Sequence, residues 1–168
     1  MGKIVSGRVV ETTWKEMARA SEKEARKWVK EMSREQPAVL AYLLGVDDGF
    51  LNREERELLV YLGIAVWRMM CRAGCKPAKV TEELLEGIER RNEEGFQQLA
   101  GKGDEALEQA AMGMLDSCQP ELFRYVVEAL MEEDEAGCVI RDDAKGLIML
   151  RLMTVIEALD SMVSNNYK

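Results

Sequence analysis

Residues 52–74 read NREERELLVYLGIAVWRMMCRAG, and the fold is read outward from this stretch. Asn52 offers a side-chain oxygen to cap a helix, Glu54 and Glu55 put negative charge at the positive end of the helix dipole, and the run stops at Gly74. Between them Leu58, Leu59, Leu62, Ile64, Val66, Met69 and Met70 leave almost no polar face. A helix that is apolar nearly all round belongs at the centre of other helices.

The flanking sequence supplies those other helices. From about 13 to 35, Trp14, Met17, Ala18, Ala25, Trp28, Val29 and Met32 fall on one face, with Thr13 and Glu16 spaced as a capping box at the start. Pro37 suits the first turn of a short helix carrying Val39, Leu40, Leu43 and Leu44, which stops near Gly45 and the Asp48-Gly49 turn. Downstream, Thr81 caps a helix with Leu84, Leu85, Ile88, Phe96 and Leu99 that fades at Gly101-Lys102-Gly103. Asp104 caps a helix reaching Leu115, Pro120 opens one through Leu122, Phe123, Val126 and Leu130, and the last runs from about 144 to 163. The expected class is all-α: one compact bundle of about seven helices over residues 1–168.

A second regularity is internal. Gln36-Pro37 followed by Tyr42 recurs as Gln119-Pro120 followed by Tyr125, and Gly49 to Glu55 parallels Gly137 to Asp143, with Arg53 on Arg141. The expectation is a pseudo-twofold tandem duplication, with repeats at about 10–75 and 93–163 and residues 76–103 as connector. In that case the helices near 53–73 and 144–163 should pack against each other.

Composition closes several chemistries. The 168 residues are 47% hydrophobic, enough for a sizeable core, and 23 Lys+Arg against 31 Asp+Glu give a formal charge of −8. So acidic a chain is a poor binder of phosphate backbones, and no nucleic-acid partner is expected. With no histidine, Ser-His-Asp and Cys-His relays and the HExxH zinc site are excluded. No stretch approaches the roughly 20 apolar residues of a membrane span, and the first residues lack a secretory apolar segment, so no membrane insertion and a cytoplasmic location are expected. Cys71, Cys75, Cys118 and Cys138 read as free, mostly buried thiols.

The acidic loops are the candidate metal site. Residues 46–55 share with a calcium loop the glycine (Gly49), an aliphatic residue two further on (Leu51) and the closing Glu55, but Leu44 and Val46 stand where two ligand oxygens are needed. The second loop has Glu132, Asp134 and Asp143, with Ala136 in place of a further ligand. Asp48-Gly49 followed by Glu54 and Glu55 resembles the unit of TerB-like domains, helical proteins in which an Asp-Gly turn and an acidic helix start occur twice; the second copy here has Ala136-Gly137. That resemblance implies a divalent-cation site, calcium or magnesium, at Asp47, Asp48 and Glu55, in a protein of tellurite or stress response. A favoured turn, an N-cap and dipole-matched acids account for the same residues without a metal. Glu82, Glu83, Glu86, Glu89, Glu93 and Glu94 resemble half of an all-carboxylate magnesium hydrolase site but read as a solvated face, since the matching Glu157 and Asp160 fall far downstream on a helix that looks buried.

The functional expectation is a non-enzymatic protein-protein interaction module without catalytic residues or resident cofactor. The divalent-cation domain is the alternative, and the carboxylate-only hydrolase stands third. A protein partner is expected, and Trp14 or Trp28 left exposed would mark a homodimer face.

Overall fold

Local start signals place most of the helices. The computed structural model describes residues 4–45, 50–99, 118–131 and 140–163, with backbone only at 96–99 and 142. Among the described residues there are seven helices: α1 (Gly7–Ala18), α2 (Glu22–Glu35), α3 (Pro37–Leu44), α4 (Arg53–Arg72), α5 (Glu82–Leu99), α6 (Pro120–Met131) and α7 (Asp142–Ser161). Pro37 and Pro120 begin α3 and α6, and Asn52 caps α4 as expected. The helix expected from Asp104 to Leu115 lies outside the described residues. None of the described helices is long and apolar enough to cross a membrane.

One expected helix is two. The segment 13–35 breaks at Arg19-Ala20-Ser21: the Ser6 hydroxyl caps α1 by accepting from the Val9 N–H, and Ser21 caps α2 by accepting from Glu24, each at 3.3 Å. Thr13 is not a cap but a buried residue within α1, its hydroxyl donating to the Val9 carbonyl at 2.7 Å. Met17, Trp28 and Met32 do enter the core, whereas Trp14 is 41% exposed and Val29 38%. The apolar spacing stays in phase across the break, so periodicity could not register it; the caps are Ser6 and Ser21.

The two apolar helices form the centre. α4 and α7 pack against each other. α1, α2, α3 and α6 lie on α4, and α5 and α6 lie on α7. α1 also reaches α6, and α5 reaches α3. Residues 82–99, expected to lie within a connector, are thus a full packing helix.

Two glutamines join distant parts of the chain. Gln36, buried just before α3, accepts from the Val80 N–H at 2.9 Å and donates to the Pro77 and Ala78 carbonyls at 3.2 and 3.0 Å. Gln119, buried just before α6, accepts from the Val5 N–H at 2.9 Å and donates to Asp160 at 2.9 Å. Val80 precedes the Thr81 cap of α5 and Val5 precedes the Ser6 cap of α1, so each glutamine holds the entry to a helix distant from it in sequence.

Close approach of α3 to α4 needs Gly63, where a Cβ would overlap the Leu43 side chain. Gly63→Ala would gain up to about 1 kcal/mol of helix propensity, but overpacking a filled core costs about 1–3 kcal/mol. A net loss of about 1 kcal/mol is expected in urea unfolding; an unchanged or raised midpoint would show that Leu43 yields freely.

Candidate functional site

Glu55 sits in the first turn of α4, fully buried, and forms a reciprocal cap with Asn52: each accepts the other's backbone N–H at 2.9 Å. Its carboxylate also receives Arg141 from the start of α7, through the backbone N–H at 3.1 Å, Nε at 3.2 Å and Nη2 at 2.7 Å. The Arg141 guanidinium lies 5.5 Å from the Phe50 ring centroid and donates to the Phe50 carbonyl. These Arg141 hydrogen bonds hold the Glu55 carboxyl below the usual carboxylate range, against the opposing effect of burial. The arrangement clamps the start of α4 to the start of α7.

Of the other loop acids, Asp143 is exposed in the first turn of α7, and Asp47, Asp48, Glu132 and Asp134 lie outside the described residues. Among the described residues, no group of three or more acidic or cysteine side chains is placed to hold a metal ion. Glu157 pairs with Arg91 at 2.7 Å, and Asp160 receives Gln119.

A smaller cleft of about 290 Å³ lies between α3, α5 and α7. The Tyr42 hydroxyl donates to Glu89 at 3.1 Å, Glu89 pairs with Arg151, and the Arg151 guanidinium stacks 5.1 Å from the Tyr42 ring. Burial pushes the Tyr42 phenol up to about 12, so it stays protonated at neutral pH and serves as a strut rather than a base. Burial likewise raises the Cys71 thiol to about 11 and the Cys118 thiol to about 12, leaving neither activated. Cys75 is buried as expected, whereas Cys71 and Cys118 are exposed as residues, and Cys138 lies outside the described residues.

An apolar groove of about 660 Å³ runs between α2, α3 and α4. Its floor is Met17, Trp28, Leu43 and Ile64, all buried, and the Arg68 guanidinium stacked 4.3 Å from the Trp28 ring centroid fixes that ring in place. Its walls carry Val29 on α2, Leu44 at the end of α3 and Tyr61 on α4, which are 38%, 60% and 38% exposed. Ser21, Glu22, Arg56 and Glu57 add polar groups to the lining. Sequence reading placed Val29 and Leu44 in the core and so missed the groove. The available signal was a surplus of apolar faces: α2 and α3 bring more apolar residues than one side of α4 can cover.

Fold and groove together define an all-α protein with an open apolar trough walled by three helices. Compared with known proteins, the chain matches no family model, no curated protein and no solved structure.

Proposed function

We propose that this chain is a non-enzymatic helical interaction module whose docking surface is the groove between α2, α3 and α4. One observation carries the reading: Val29, Leu44 and Tyr61, from three different helices, stand exposed around a single apolar floor. A contiguous apolar patch rimmed by polar groups marks interaction surfaces, because covering it releases water from all of it at once. The groove is preferred to a cation role because Glu55, the buried acid among the described loop residues, already has both carboxylate oxygens engaged by Asn52 and Arg141.

A photoreactive side chain at Leu44, on the groove edge, is expected to yield one discrete heteromeric adduct in cells. Val29→Glu should weaken its formation by about tenfold or more, since it buries a charge against an apolar partner. Val29 is partly exposed, so the same variant should lose less than about 1 kcal/mol of stability. An adduct indifferent to Val29→Glu, or no discrete adduct, would overturn the proposal.

A further inference from the structure

Two helices carry rows of opposite charge at one spacing. On α2, Lys23, Lys27, Lys30 and Arg34 stand at steps of four, three and four residues, within about 60° of the helix circumference and opposite the buried Trp28 and Met32. All four are exposed, and among the described residues none has an acid within ion-pair distance; the neighbouring Arg26 does, with Glu22 at 3.7 Å. On α5, Glu82, Glu86, Glu89 and Glu93 repeat the same steps. Glu82, Glu86 and Glu93 are exposed and likewise unpaired among the described residues, while Glu89 is set deeper and held by Arg151. Each row is about 16 Å long. Within one chain the rows do not meet, since α2 and α5 each pack on α3 and leave these charges outside. Charge is segregated along the sequence too: residues 1–35 hold nine Lys and Arg against six Glu, in a chain whose net charge is −8.

We infer that the α2 row docks on the α5 row of a second copy of this chain. Steps of four, three and four read the same from either end, so the charges match whether the helices run parallel or antiparallel. An exposed ion pair contributes little alone, and a row of them in one register acts as a network. A ridge one helix wide fits better than a broad anionic surface such as a membrane or a nucleic-acid backbone. Glu22 borders the α2 row on one side and Glu24, Glu31 and Glu35 on the other, so a broad surface would press on these acids as well as on the bases. Val29, Leu44 and Tyr61 belong to neither row, and the inference stands apart from the groove.

Sedimentation velocity of the full chain at submillimolar concentration tests it. The wild type is expected to run larger than one chain in about 0.1 M salt and as a monomer in about 1 M, where the Debye length has fallen from about 10 Å to about 3 Å. Lys27→Glu with Lys30→Glu, and separately Glu86→Lys with Glu93→Lys, should each weaken the association by about tenfold or more. An equimolar mixture of the two should associate again, because the reversed α2 row of one then faces the reversed α5 row of the other. Tyr61→Glu, in the groove, should leave the association unchanged. Lys27→Gln with Lys30→Gln replaces the first reversal should that lose its helical circular dichroism. A wild type that is monomeric in low salt overturns the inference, as does association that survives either reversal or high salt. So does a mixture that stays monomeric, and loss of association in Tyr61→Glu would move the contact to the groove.

Discussion

Gln36→Leu is expected to lower the unfolding free energy by about 3 kcal/mol, most of it from the buried Val80 N–H that loses its acceptor, at about 1–3 kcal/mol, with a smaller loss at the half-buried Pro77 and the exposed Ala78. Leucine fills similar volume but leaves the Val80 N–H without its acceptor and the Pro77 and Ala78 carbonyls without their donor. In a domain of this size that corresponds to a fall of about 10 °C in the thermal midpoint. Gln119→Leu should cost less, about 2 kcal/mol, because it orphans the Val5 N–H and releases Asp160, which is only half-buried. Urea unfolding of both variants checks this. A Gln36→Leu protein within about 0.5 kcal/mol of wild type would mean that water reaches Val80 and that the glutamine does not tie α3 to the start of α5.

The second large effect is acid sensitivity centred on Glu55. Its folded-state carboxyl lies below the usual value, so its contribution is fully present above the unfolded-state value near 4.3 and is lost as pH falls through the folded-state one. Glu55→Gln keeps a side chain able to accept the Asn52 N–H but removes the charge that meets Arg141. A loss of about 2 kcal/mol is expected at pH 7, below the figure for a fully enclosed pair because the Arg141 side chain is 52% exposed and can be rehydrated. The gap between wild type and variant should then narrow below about pH 4 as the wild-type carboxylate takes up its proton. A gap of equal size at pH 7 and pH 3.5 would show that the cap, not the charge, is what matters.

Much of the architecture was legible in particular residues. Asn52, Pro37 and Pro120 start α4, α3 and α6 because capping and proline geometry act within one turn, and the apolar surround of 58–70 placed α4 at the centre. The Gln-Pro pairs at 36–37 and 119–120 are visible as matching strings. What they do is not, since the groups that Gln36 and Gln119 hold lie 41 to 114 residues away along the chain. In the sequence Arg141 stands only at the position matching Arg53; that it closes on Glu55 depends on α4 and α7 lying together.

The candidate site was less legible. Glu55 was identified as a ligand candidate by its residue type and place in the loop, but a carboxylate's partner is chosen by what folding brings within 3 Å of it, here a guanidinium. Val29, Leu44 and Trp14 were apolar residues at core spacing, and periodicity alone assigns every such residue to the interior. Local sequence determined where helices could begin and which of their faces were apolar, because caps and spacing act over a few residues. Which apolar faces are covered was decided only in the tertiary structure: covering a face takes another element of the right length in the right place, and α1 ends at Ala18 as the chain turns into α2.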